Sequence, residues 1–223
     1  MNTYSPLQFW IFAAQAQLQK INNGFELNLP ALRQLLAEIR PYTLDEKAGF
    51  YQVVNLCYQK GLTVIVQPCK NIAAGILWVN QKPCIVISNP NGTYHELWFS
   101  LLHELYHVLF EYNNLIIQGY HVSYKNELLL SDNLADYFAE MMLFDPKKLN
   151  LFYQYAYKET EFVEQAIDNC IHPAILIALL LKNNPPARIK TAFVQFKSYG
   201  LKSTESLKAF FFPYWERFNI ESS

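Results

Sequence analysis

The chain has 223 residues, 52% of them apolar and 17% charged, which excludes a disordered chain and allows one sizeable buried core. Its formal net charge is −1, with acids and bases mixed along the length, so no basic block is present to neutralise phosphates and direct nucleic-acid binding is not expected. The longest strongly apolar run, Ala174 to Leu181, is far too short to cross a bilayer, so a membrane role is not expected either.

Phe9 to Ile21 carries a broad apolar stripe broken at Asn22-Asn23-Gly24, and Leu29 to Ile39 is a second helical piece stopped by Pro41. Together they form an N-terminal helical segment, residues 1–42. Thr43-Leu44-Asp45-Glu46 has the form of a capping box, in which hydroxyl and carboxylate each satisfy a free backbone N–H. Leu44, Ala48, Tyr51, Val54 and Tyr58 follow at helical spacing, and Gly61 suits the position past a helix end. Leu62 to Val66, Ile76 to Val79 and Cys84 to Ile87 read as short strands, the last two joined through Asn80-Gln81-Lys82-Pro83. After a loop at Asn89-Pro90-Asn91-Gly92, Thr93-Tyr94-His95-Glu96 is a second capping box, opening a helix to about Tyr112. Asn113 to Asn126 reads as a loop and Leu128 to Phe144 as a helix ended by Asp145-Pro146. The remainder reads as helices broken at His172-Pro173, Asn183-Asn184-Pro185-Pro186, Gly200 and Pro213. The expected fold is α+β and mostly helical. A small three-stranded sheet precedes the motif helix in a core of residues 43–150, and a C-terminal helical region covers 151–223.

The four cysteines, Cys57, Cys69, Cys84 and Cys170, have neither metal-type nor disulfide-framework spacing. With no signal sequence, they read as reduced thiols of a cytoplasmic protein.

The stretch that carries chemistry is His103-Glu104-Leu105-Tyr106-His107, an HExxH motif inside the helix that the second box opens. Two histidines four residues apart lie on one helical face, so both imidazoles can bind a single Zn²⁺. Glu104 is offset around the helix, close enough to take a proton from a metal-bound water without ligating the metal. A catalytic zinc needs a third protein ligand. The extended metzincin pattern would put that ligand at Asn113, which excludes the subclass. A carboxylate from a second helix is the remaining route, and Asp132, Asp136 and Glu140 share one face of the helix that follows. Tyr106, Tyr120, His121 and Tyr124 are candidates to stabilise an oxyanion. His95 reads as a surface or structural residue, and His172 as a loop residue before Pro173.

At these positions the sequence resembles the ImmA/IrrE family of metallopeptidases, which pairs an HExxH helix with a later E-x-x-A-N-x-F-A-x-x-L-L-x-P segment in a gluzincin-like site. This chain reads Asp132-x-x-Ala135-Asp136-x-Phe138-Ala139-x-x-Met142-Leu143-x-x-Pro146. Upstream, Gly75 to Ile87 followed by Trp98-Phe99-Ser100-Leu101-Leu102-His103 is similar to the family's small sheet leading into its motif helix, so the likeness covers residues 40–150. The resemblance implies Asp132 as third ligand in place of the usual Glu, with Glu127 and Glu140 in reserve. The shorter side chain requires the two helices to close by about 1.5 Å, one methylene length. Asp136 stands in place of the usual Asn, where it can accept the free N–H of a ligand histidine.

The resemblance also implies an activity: a cytoplasmic zinc endopeptidase in which Glu104 activates zinc-bound water to cleave a transcriptional regulator in a stress response. No basic recognition face marks a helix-turn-helix in this chain, so the partner would be a separate helix-turn-helix regulator. The rival expectation is a non-catalytic zinc-binding regulatory module that sequesters such a regulator. A zinc hydrolase acting on some non-peptide bond is a third.

Overall fold

Helices occupy the chain as far as Gln59 in the computed structural model, which describes residues 5–88, 91–124 and 132–207. Helix α1 (Pro6–Ile21) opens on a Ser5/Gln8 capping box and buries Trp10, Ala14, Leu18 and Ile21 at successive turns. Helix α2 (Leu29–Tyr42) runs through Pro41 instead of stopping ahead of it. The proline falls in the final turn, where the missing N–H removes a bond from a helix that is already ending.

Helix α3 (Gly49–Gln59) starts later than the Thr43 box suggests. Thr43 Oγ1 donates to Arg40 O at 2.7 Å and accepts the His172 N–H at 3.1 Å, while its carbonyl accepts the Tyr94 hydroxyl at 2.8 Å. Glu46 accepts from His172 Nε2 at 2.9 Å. The expected cap residues instead tie together three segments distant in sequence. His172 lies just before the helix that Pro173 begins, as expected, but it is buried, and its Nδ1 accepts from Ala174 N to cap that helix. Gly61 does take the left-handed conformation past α3, with φ 79°.

Strands β1 (Thr63–Val66), β2 (Ile72–Val79) and β3 (Lys82–Ile87) precede helices α4 (Tyr94–Phe110) and α5 (Tyr112–Gln118), and strand β4 (Tyr120–Tyr124) follows them. The order is β1-β3-β2-β4, with β1 parallel to β3 and the other pairs antiparallel. The sheet therefore has four strands, not three, because β4 forms in the segment expected to be a loop. The β2–β3 hairpin closes at Val79↔Lys82 through Asn80 and Gln81, whose φ values of 50° and 64° are both left-handed and match the twist of the strands.

Gly75 of β2 sets how closely β4 approaches. A Cβ there would lie 2.6 Å from the carbonyl oxygen of His121 and 3.0 Å from the ring of Trp10, so only glycine fits between β4 and α1. Gly75 pairs with Val122, which puts Val122 on the α1 face. Side chains alternate along a strand, so His121 and Ser123 turn to the other face, toward α4.

Helix α4 is buried around nearly its whole circumference, which makes it the central helix. Its Thr93 box is formed: Thr93 Oγ accepts from Glu96 N at 3.2 Å, and Glu96 Oε2 accepts from Thr93 N at 2.7 Å. Helix α6 (Asn133–Leu143) packs on it through Ala135 and Ala139, both buried, whose small side chains let the two backbones close. A 3₁₀ segment (Pro146–Tyr155) leads to α7 (Glu159–Asp168), α8 (Pro173–Lys182), α9 (Ala187–Phe193) and α10 (Thr204–Leu207). One contiguous apolar core extends from Trp10 to Leu207 and includes the strongly apolar α8. No single helix among the described residues is long and apolar enough to cross a membrane. The cysteines are free thiols, and burial pushes Cys57 and Cys84 up to about 12, which leaves both unreactive. The architecture is the expected α+β class.

Candidate metal centre

Helix α4 carries His103 and His107 one turn apart, and both imidazoles are buried. Each Nδ1 faces outward to a carboxylate: His103 Nδ1 to Asp136 Oδ1 at 2.9 Å, and His107 Nδ1 to Glu111 Oε2 at 2.8 Å. A carboxylate can only accept, so each Nδ1 carries the proton and each Nε2 is left with a lone pair. The two Nε2 atoms face each other at 3.3 Å. Two lone pairs at that distance repel unless a cation lies between them. An ion bound tetrahedrally at about 2.0–2.1 Å to each nitrogen sets two ligand atoms about 3.3 Å apart, which fits the observed separation.

Two more groups converge on the same point. Asp132 sits at the N-cap position of α6, yet its side chain does not cap that helix. His121 on β4 packs on His107 with ring centroids 3.9 Å apart. One ligand atom each from His103, His107, His121 and Asp132 lie within 4.8 Å of one another, so this group could hold a metal ion. The short Asp132 side chain thus lies within reach of the histidines.

Glu104 is fully buried. Its Oε1 accepts the Ser123 hydroxyl at 2.6 Å, whereas Oε2 has no hydrogen-bond partner among the described residues. Leaving a buried polar atom unsatisfied costs about 1–3 kcal/mol, more for a charged group, so Oε2 marks the place of a bound water or ligand.

The electrostatics separate the two histidines. Burial disfavours the protonated His103, but the Asp136 hydrogen bond, with Glu104 and Asp132 nearby, outweighs it and raises the imidazole above its ordinary value. At His107 burial wins and takes the imidazole down to about 4. The His103 hydrogen bond also holds the Asp136 carboxyl below its usual range.

The other anticipated residues lie elsewhere. Glu140 pairs with Lys182 at 2.6 Å and is not among the converging groups, and Glu127 falls outside the described residues. Tyr106 packs against Phe110 and Phe138 and meets His107 edge-on. Tyr120 and Tyr124 are exposed and alternate to the face of β4 opposite His121. His95 is half-buried against Phe99, and burial lowers it to about 4.

Glu111 and Ser123 go beyond the residues anticipated from sequence. Glu111 was within reach of it, since a carboxylate four residues after His107 shares its helical face. Ser123 carried no such signal, because its part depends on a strand pairing with β2. Comparison of the chain with known protein families, with curated proteins and with solved structures finds no match in any of the three.

Proposed function

We propose that this chain is a zinc-dependent endopeptidase of the ImmA/IrrE type acting on a separate DNA-binding regulator. The observation that carries this reading is the pair of inward-facing Nε2 atoms beside a buried glutamate with one unsatisfied oxygen. A structural metal site needs no neighbouring carboxylate held just clear of its ligands, whereas a hydrolytic one needs such a base.

His103, His107 and Asp132 would hold the ion, with Asp136 and Glu111 orienting the imidazoles. A zinc ion supplies Lewis acidity there, which makes water nucleophilic near neutral pH. Glu104 Oε2 takes the proton of the attacking water and returns it to the leaving amine. Strand β4 is an edge of the sheet, and its outer side has no strand partner among the described residues, so an extended peptide can add to it next to His121. The edge nearest the motif is thus the strand after the motif helix, not those before it. The choice of a helix-turn-helix regulator as substrate rests on the sequence resemblance alone.

His121 supports a second reading. With four protein ligands the ion has no open position, and the chain becomes a zinc-binding module that sequesters its partner intact. Glu104→Gln separates the two. Lysate incubated with wild-type protein gains new protein N-termini that the Glu104→Gln protein does not produce, while both hold equal zinc. Identical N-terminal profiles, together with a stably bound and uncleaved partner, would establish the second reading instead.

A further inference from the structure

The geometry points to Ser123 as a positioning residue that locks Glu104 with one oxygen turned to the metal site and links it to His121. This rests on the proposed role of Glu104 as base. The contacts form a chain across the β4–α4 interface: His121 Nε2 lies 3.2 Å from Ser123 Oγ, and Ser123 Oγ lies 2.6 Å from Glu104 Oε1. All three side chains are buried or half-buried, with Glu104 fully enclosed, so water does not compete for these bonds.

Proton counting fixes the direction of the chain. A serine hydroxyl has one proton, and a carboxylate oxygen can only accept, so Ser123 donates to Glu104. Its oxygen must then accept from His121, so the His121 Nε2 is the protonated nitrogen. In the neutral imidazole Nδ1 then keeps the lone pair, and it is the atom available to a metal.

The consequence for Glu104 is rotational. A glutamate side chain turns freely about its last bond, and its two oxygens are equivalent in isolation. One strong bond to Ser123 removes that equivalence: Oε1 is tied back to β4, and Oε2 is the oxygen left without a hydrogen-bond partner among the described residues. Strand β4 also depends on Gly75 for its close approach, so the base on α4 is held by a strand that reads as ordinary loop in the sequence.

Acetohydroxamic acid tests this without knowledge of the substrate. It chelates a catalytic metal, and its hydroxyl proton passes to a neighbouring base, so its affinity reports where that base points. Titrations of zinc-loaded wild type, Glu104→Gln, Ser123→Ala, Ser123→Cys and Ser123→Thr are compared at equal metal content. A hydrogen bond to a charged group supports about a tenfold loss for Ser123→Ala. The near-isosteric Ser123→Cys, a weak donor, shows a similar loss, and Ser123→Thr, which keeps the hydroxyl, recovers wild-type affinity. If Ser123→Cys binds as wild type while Glu104→Gln is weakened, the positioning role is overturned. If Glu104→Gln itself binds as wild type, the base role fails, and the inference fails with it. Should Ser123→Ala not fold, the Cys and Thr variants decide the matter between them.

Discussion

Replacing Gly75 by alanine perturbs the site from β2, through the backbone of His121, while leaving every side chain of the site unchanged. The added Cβ would meet the carbonyl oxygen of His121 at 2.6 Å, and an ordinary contact is at least 3.4 Å, so β4 must withdraw by about 0.8 Å. Any such movement disturbs the 2.6 Å Ser123–Glu104 contact, whose strength depends on its short length and alignment. It also shifts the His121 ring, which packs 3.9 Å from that of His107. Overpacking of this kind costs about 1–3 kcal/mol, and a chain of this size loses about 2–4 °C in Tm for each kcal/mol. The assay is thermal unfolding together with metal affinity measured against a competing chelator. Gly24→Ala serves as control, since nothing lies within 4 Å of a Cβ at that position. The expectation is a lower Tm and weaker metal binding for Gly75→Ala, and neither for Gly24→Ala. Unchanged Tm and affinity in Gly75→Ala would refute the claim that the β2–β4 approach sets the site.

Asp136→Ala removes the acceptor that fixes His103 and should weaken metal binding by about 10- to 100-fold in a chelator competition; undiminished affinity would mean that the 2.9 Å contact does not orient the ligand. Metal must displace protons from the imidazoles, and burial is outweighed at His103 but not at His107, where it leaves the imidazole near 4. Apparent affinity should therefore begin to fall as pH drops through a value above 6.5, with one proton taken up, and steepen only near pH 4. Calorimetric titration across pH checks this, and an affinity flat from pH 7.5 to about 5 would contradict it. Gln81→Gly relieves a left-handed non-glycine residue in the β2–β3 turn and should raise stability by about 0.5–1 kcal/mol, read as a higher Tm; a lower Tm would show that Gln81 makes compensating contacts.

The parts of the molecule that follow from local chemistry were legible in the sequence. The Thr93–Glu96 box opens α4, the HExxH spacing puts two imidazoles on one face, and a hairpin joins β2 to β3 at the expected place, its turn being Asn80-Gln81 with Lys82 and Pro83 already in β3. Where distant segments compete for the same residues, local reading failed. Thr43 and Glu46 have the composition of a cap but satisfy Tyr94 and His172 instead. Strand β4 was hidden for a related reason. Its inward positions are His121 and Ser123, which face polar partners on α4 instead of an apolar core, so the hydrophobic alternation that marks a strand is missing. The first half of β2, Ile72-Ala73-Ala74-Gly75, gave a weak signal because small residues are needed where β4 and Trp10 come close. In the site itself, His103, Glu104 and His107 were readable from spacing, while Asp132 and Asp136 were singled out from the acids on one expected helical face by the family resemblance. The joining of His121 and Ser123 to them depends on pairing between β2 and β4, which no window of sequence contains.

Metal content by elemental mass spectrometry tests the central claim most directly, on protein purified from zinc-supplemented medium and dialysed free of loosely bound ions. About one zinc per chain is expected in wild type, with none retained by His103→Ala or His107→Ala of unchanged secondary structure. A folded wild-type protein that stays metal-free after exposure to zinc, cobalt and manganese would contradict it.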